Sequence, residues 1–309
     1  MNPSELKKAL ETGQIGKQAY IERMFEQHQQ LFHYADLIDG SDVESIQIGQ
    51  GEVRVRFAWP PIELVAPRGE MRAAPVEAVN FGSYEQYEFA IVEKLVHSLP
   101  GGSPVLVDIG GNVGFYSIGL KKLHPNLRIH AFEPIPATAD QFERNAIINN
   151  CNDVSLHRHG LSDVPGEARF FVHRHMSVAA SQQNILEDEE IEEVVCQLVR
   201  LDDMREDLGG PVDFIKCDVE GAELFAFRGA ASIIEQDQPV VFSEMLRKWS
   251  AKFDYHPNDI IAFFKDRGYQ CHGLGKEGAR PVDAVTESTI ETNFVFLHTE
   301  KHEGIRLHS

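Results

Sequence analysis

The chain has 309 residues, 42% of them hydrophobic and 25% charged, a balance that fits a globular protein with one large core and an appended unit. Its 29 basic residues against 48 acidic ones leave a net charge of -19, which repels nucleic-acid phosphates and anionic lipid headgroups, so no nucleic-acid partner is expected. Residues 1–17 carry no apolar signal core and no run nears the roughly 18 to 20 apolar residues of a bilayer span, so the expectation is a cytoplasmic protein without membrane insertion.

In chain order, Ile21, Phe25, His28, Phe32 and Ala35 recur at helical spacing, which predicts an amphipathic helix over 17–38 with a seam for another surface. Ile46 and Ile48, then Gly49-Gln50-Gly51, then Val53, Val55 and Phe57 alternate around a glycine turn and predict a β-hairpin closed by Pro60-Pro61. Residues 62–83 lack a clear period. Helical spacing returns at Tyr84, Tyr87, Ile91 and Leu95 and stops at Pro100-Gly101-Gly102. Two units follow, an N-terminal helix and hairpin extension over 1–83 and a larger one over 84–309. The extension is expected to act as a lid, to shape an acceptor pocket, or to offer a homodimer surface.

Beyond residue 102 short apolar strands alternate with helical stretches, the pattern of a mostly parallel sheet covered on both faces. Strands are predicted at 104–109, 128–133, 154–160, 212–217 and 239–244, then a helix at 257–267, a strand at 269–273 and a last strand at 294–297. A β insertion falls at about 164–201, with paired strands at 168–173 and 194–201. Between them residues 187–193 hold six acids in seven positions, read as a solvated face or a mobile loop. Cys151, Cys196, Cys217 and Cys271 form no Cys-x-x-Cys pair and read as buried reduced thiols.

The sharpest chemical feature is the run Val105-Leu106-Val107-Asp108-Ile109-Gly110-Gly111-Asn112-Val113-Gly114-Phe115-Tyr116-Ser117, a strand, a glycine turn and a helix start. Gly110 and Gly114 let the backbone approach a ligand, and the helix start offers free N–H groups. The ligand is either a dinucleotide pyrophosphate or the methionine half of S-adenosylmethionine. Asp108 repels the first and attracts the α-ammonium of the second, so it favours the sulfonium cofactor. Glu133, about 25 residues on at the end of the next strand, can accept both ribose hydroxyls of either ligand. Helix capping is the plain alternative for both acids.

As an ordered set these motifs resemble the FkbM family of S-adenosylmethionine-dependent methyltransferases over residues 84–298. The set runs from Asp108 through Gly114 to Phe132-Glu133-Pro134, Asn145 and Asn149-Asn150, then Leu161-Ser162-Asp163 and Leu201-Asp202-Asp203. It closes with Lys216-Cys217-Asp218-Val219-Glu220-Gly221-Ala222-Glu223 and Ser243-Glu244. Gly111 departs from the alanine common in that family, a change expected to leave the backbone undisturbed. The resemblance implies an α/β Rossmann-like class I methyltransferase sheet with an antiparallel C-terminal strand. It implies that Asp108, Gly110, Asn112, Gly114 and Ser117 hold the methionine end, Glu133 the ribose, and Ser162 with Asp163 the adenine edge. It also implies a hydroxyl acceptor on a sugar, glycolipid or polyketide-type molecule.

For the transfer itself, in-line positioning and a base for the acceptor proton are required. Asp218 is the first choice at the reacting centre, with Glu244 at the same sheet edge; capping of the following helix by Asp218, Glu220 and Glu223 is the alternative. His157 with His159, and His173 with His175, share strand faces at metal-ligand spacing but lack a fixed carboxylate partner, so no metal is expected. His175 is kept as a catalytic candidate and His256 as a lid residue. The competing functions are N-methylation, a nicotinamide-dependent oxidoreductase, and a silent S-adenosylmethionine-binding regulator.

Overall fold

The computed structural model describes every residue except 50, 174–175, 183–190, 276–277, 306 and 308–309, and for 176–180 it describes the backbone alone. Helices α1 (Pro3–Glu11) and α2 (Lys17–Ile38) precede strands β1 (Val43–Ile48), β2 (Val53–Phe57) and β3 (Glu63–Ala66) and helices α3 (Ala74–Phe81) and α4 (Gln86–His97). An alternating stretch follows: β4 (Val105–Ile109), α5 (Phe115–Leu123), β5 (Arg128–Phe132), α6 (Pro136–Ile148) and β6 (Ser155–His157). The insertion supplies β7 (Gly160–Leu161), β8 (Gly166–His173), β9 (Met176–Ser181) and β10 (Ile191–Val199). Alternation resumes with β11 (Val212–Cys217), α7 (Glu223–Gly229), α8 (Ala231–Asp237) and β12 (Val240–Glu244). Then come α9 (Arg247–Ser250), α10 (Pro257–Lys265), β13 (Tyr269–Gly275), β14 (Gly278–Pro281) and β15 (Asn293–His298).

The main sheet has the order β14-β13-β15-β12-β11-β4-β5-β6, with β6, β5, β4, β11 and β12 parallel and β15 antiparallel beside β12. This is the Rossmann-like class I arrangement, with the reversed C-terminal strand in place. All five residues of β4 are buried because each face has its own cover. Leu106 joins Phe89, Phe115 and Ile118 on one side, and Val105, Val107 and Ile109 join Leu224, Phe227 and Phe264 on the other. Such burial explains why β4 reads as an apolar run broken only by Asp108. From β4 the chain steps outward to β5 and β6, then crosses back to β11 on the other side of β4. That reversal opens a crevice beyond the carboxyl ends of β4 and β11, the place where open α/β sheets take ligands.

Three sequence expectations change. The hairpin is a three-stranded antiparallel meander, β1-β2-β3. β3 escaped notice because it has four residues and buries both Leu64 and Val65, so it shows no alternation. The expected strand 154–160 is two pieces: β6 stays in the main sheet, while β7 pairs with β10 in the insertion sheet β7-β10-β8-β9. The α2 seam lies open, with Ile21 49%, Phe25 62% and Phe32 63% exposed and no residue of the helix buried.

The N-terminal meander shares the main core: Val43, Val55, Phe57 and Leu64 pack in one cluster with Phe89 and Phe115. Asn145 and Asn149 of the α6 region fix it polarly. Asn145 Oδ1 accepts from the Val65 amide at 3.0 Å, and Asn149 accepts from the Glu63 amide at 2.9 Å and donates to its carbonyl at 2.7 Å. The four cysteines are buried free thiols. Of the acidic run, 187–190 lie outside the described residues, and Glu192 and Glu193 stand exposed on β10.

Candidate active site

β4 and β11 pair so that Asp108 lies opposite Lys216. Both are nearly sealed from water, at 1% and 4% exposure. Ser117, in the first turn of α5, donates its hydroxyl to Asp108 Oδ2 at 2.6 Å, while Asp108 Oδ1 lies 3.6 Å from Lys216 Nζ and has no hydrogen-bond donor among the described residues. Lys216 also donates to the Gly110 carbonyl at 3.2 Å, lies 3.5 Å from Asp218, and stands 5.0 Å over the Tyr116 ring. Burial pulls its pKa down, but Asp218, Asp108 and Glu85 outweigh burial and hold it above the ordinary lysine value. Burial raises the Asp108 pKa, with Lys216 and Ser117 opposing.

The turn after β4 is shaped by what it touches. Gly110 adopts φ +85°, and a Cβ there would sit 1.9 Å from the Asp218 carbonyl oxygen, so only glycine lets the two strand ends meet. Asn112, at φ +46°, turns its amide onto Glu133 Oε2 at 3.0 Å, and Glu133 Oε1 accepts from the Ile135 amide at 2.9 Å. Burial pushes the Glu133 carboxyl up to about 7 against these two backbone donors. Each of its oxygens keeps a lone pair for another donor. Gly114 begins α5 at φ +92°. Gly111 is tighter than the sequence suggests, since a Cβ there would press on Phe142 at 3.1 Å and Ala131 at 3.3 Å.

Across the crevice Asp218, Glu220 and Glu244 bring one carboxylate oxygen each within 4.8 Å of the others. Burial, then the charge of Asp218, raises Glu220 to about 8 and Glu244 to about 10. Both therefore hold their protons at neutral pH. Among the described residues one Glu220 oxygen is buried without a hydrogen-bond partner, and its backbone takes φ +52°. Glu223 belongs to the scaffold instead: Oε1 accepts from the Val219 and Gly221 amides at 3.2 and 3.0 Å, and Oε2 accepts from the Tyr255 hydroxyl at 3.0 Å.

Gly110, Asn112, Glu133, Asp218 and Glu220 line one cleft of about 80 Å³, together with Tyr84, Glu85, Lys216 and, from the insertion, Phe170. Asp108 and Ser117 lie beneath its floor. Sequence reasoning gave no site role to Lys216, Tyr84 or Glu85, and named Glu220 only among the acids that could cap the following helix. A lysine directly after Phe214-Ile215 in a strand between two others is the signal that was available for Lys216, since a buried cation demands partners. Glu85 takes φ +45° at the start of α4 and accepts from the Tyr116 hydroxyl at 2.8 Å; burial, then Asp218, raises its pKa. Larger cavities, of 550 Å³ beside α4 and 730 Å³ between α2 and the meander, bring together no comparable set of acids among the described residues.

Other candidates fall elsewhere. Ser162 and Asp163 line a separate depression with Phe225 and Phe253, and the Ser162 hydroxyl donates to Asp163 at 3.4 Å. His175 lies outside the described residues. His256 is the N-cap of α10, where Nδ1 accepts from the Asn258 amide at 3.2 Å, so it anchors a helix. His157 lies at the end of β6 and His159 beyond it; His157 instead meets His130 on the neighbouring strand, ring nitrogens 3.1 Å apart. Burial, then His130, takes His157 down to about 4. His173 is buried on β8.

Residues 108–271, just over half of the chain, match the methyltransferase FkbM domain family. Methyltransferase 1 of Beauveria bassiana is 31% identical over 142 residues, 40% of this chain and 57% of that protein. Methyltransferase sdnD of Sordaria araneosa is 27% identical over 203 residues, 56% of this chain and 76% of that protein. A crystal structure of methyltransferase FkbM from Methylobacillus flagellatus superposes with a TM-score of 0.41 at 19% identity, covering 65% of this chain and 45% of that one. The chain thus spans little more than half of the Beauveria protein and less than half of the Methylobacillus one.

Proposed function

The chain belongs to the FkbM methyltransferase domain family, and from that premise we propose that it is an S-adenosylmethionine-dependent O-methyltransferase acting on a hydroxyl of a small-molecule acceptor of sugar, glycolipid or polyketide type. The observation that carries the reading is the meeting of Gly110, Asn112, Glu133 and Asp218 in one cleft at the point where the strand order reverses. The donor set suits this cofactor. Glu133 retains acceptor capacity for a ribose diol, and the two aspartates beside one lysine leave the floor negative, which favours an ammonium over a pyrophosphate.

S-adenosylmethionine, when bound, supplies an electrophilic methyl on a sulfonium. Glu133 would hold the ribose, and the Gly110–Asn112 turn with Asp218 the methionine end. Asp108 supports them from below through Ser117 and Lys216. Ser162 and Asp163, in their own depression, remain the proposed adenine contacts. Glu220 and Glu244 face the acceptor side with Asp218. Glu220, raised to about 8, is the carboxyl that becomes free to take a hydroxyl proton as pH rises through that value, and Glu244, still protonated there, accepts hydrogen bonds from the acceptor or donates to it. The cleft of about 80 Å³ is smaller than the ~300 Å³ at which ligand pockets begin, so loading shifts a wall, with Tyr84 and Phe170 as the large side chains there.

Calorimetric titration with S-adenosylmethionine, S-adenosylhomocysteine and a reduced nicotinamide dinucleotide, side by side, tests the cofactor. Binding of the two sulfur nucleotides alone is expected, and binding of the dinucleotide alone would replace the reading with an oxidoreductase. Mass spectrometry of hydroxylated and aminated acceptors then separates oxygen from nitrogen transfer. Cofactor binding with no product from any acceptor would point to the silent regulator.

A further inference from the structure

Among the described residues a second cluster brings three ligand-type atoms within 4.8 Å of one another: Glu93, His97 and His124. None of the three lines the cleft between β4 and β11. Glu93 and His97 are four residues apart in α4 and so share one face of that helix. His124 caps α5, where its amide donates to the Leu120 carbonyl at 2.8 Å. The His124 Nε2 and Glu93 Oε1 atoms are 3.0 Å apart, and the His97 and His124 rings have centroids 5.9 Å apart.

We propose that Glu93, His97 and His124 form a site for a zinc-class divalent cation. Two ligands about 2.0–2.1 Å from one tetrahedral ion lie roughly 3.3 Å apart, close to the separation that Glu93 and His124 already have. His97 is exposed, so its side chain is free to close on the same point. Two imidazoles and one carboxylate select a transition metal over magnesium or calcium, and three protein ligands leave the fourth position to water. The Glu93 and His124 side chains are 23% and 19% exposed, which anchors two ligands against the protein while the outer side stays open.

The site has a mechanical consequence. Phe89 of α4 packs on Phe115 and Tyr116 at the start of α5, whereas Glu93 and His97 meet His124 at its end, so the two helices run side by side in one direction. Glu85, before α4, and the glycine turn, before α5, both line the cleft. A cation held by Glu93, His97 and His124 would join the opposite ends of these helices.

The test is calorimetric titration of the tag-free full chain, stripped with EDTA and dialysed, with zinc chloride. His97→Ala and Glu93→Gln are titrated alongside, and circular dichroism checks that both variants keep the fold. The expected result is a zinc-binding event in the parent chain whose affinity falls at least roughly tenfold in each variant. No zinc binding in the parent, or a smaller fall in either variant, overturns the proposal. Because Asp218, Glu220 and Glu244 are intact in both variants, zinc taken up by those acids is retained and is told apart from this site.

Discussion

Glu220 and Glu244 hold protons in the folded chain that they would release on unfolding near neutral pH. Their folded pKa values, about 8 and about 10, lie above the ordinary carboxylate value, so the folded state binds more protons across the interval between. The stability they contribute is fully present below about pH 4.5 and is lost as pH rises toward their folded values. The Tm of the ligand-free protein is therefore expected to fall from pH 5 to pH 8, read by differential scanning calorimetry. Glu244→Gln, which keeps the neutral form, is expected to flatten that slope and raise Tm at pH 8 by a few degrees, the scale of about 1–2 kcal/mol in a chain of this size. Turnover should rise through about pH 8 as Glu220 becomes a base; a flat profile there removes it from that role. Lys216 tests the floor. Lys216→Met leaves Asp108 and Asp218 without their cation and is expected to cost roughly 3–5 kcal/mol in urea unfolding. Adding Asp108→Asn should restore part of the loss, since it removes one of the uncompensated charges.

At the level of elements the site is a junction of two strand ends, and Gly110 is where they touch. Gly110→Ala drives a Cβ to 1.9 Å from the Asp218 carbonyl at a positive φ, so it is expected to lose cofactor binding in calorimetry and to lower the urea midpoint. Gly111→Ala meets Phe142 at 3.1 Å, a ring edge that can give, so a smaller loss with binding retained is expected. The elements that carry this junction were legible because their physics is local. β4, β5, β11 and β12 are covered on both faces and read as short, mostly apolar strands with polar residues at only one or two positions each, and the turn announces itself through Gly110 and Gly114. Glu133 and Asp218 follow from standing at strand ends. What was not legible depends on register and on distant packing. That Lys216 faces Asp108 is fixed by the β4 and β11 pairing, and that Tyr84 and Glu85 enter the cleft is fixed by α4 lying on α5. Ser162 and Asp163 stand apart because the chain leaves the main sheet at β7, a departure with no local mark beyond Gly160.

Over the whole molecule one core spans the proposed division at residue 83. Val43, Val55, Phe57, Ile62 and Leu64 pack in the same cluster as Phe89, Phe115 and Phe242. Residues 84–309 produced alone are expected to show no cooperative thermal transition, because removal of the meander bares one face of that core. A sharp transition would show the first 83 residues to be a dispensable appendage. The same N-terminal part gives the molecule a second character. Along α2, Ile21, Phe25, Leu31, Phe32, Tyr34 and Leu37 are each 49–63% exposed, on a chain whose net charge is -19. In dilute buffer mutual repulsion keeps such molecules apart, and at 1 M salt, where screening shortens the reach of charge to about 3 Å, these exposed apolar side chains, which stand on more than one face of the helix, are left to act at contact. In colloidal terms the second virial coefficient measured by light scattering should pass from positive to negative as sodium chloride is added. Phe25→Ser with Phe32→Ser should keep it positive.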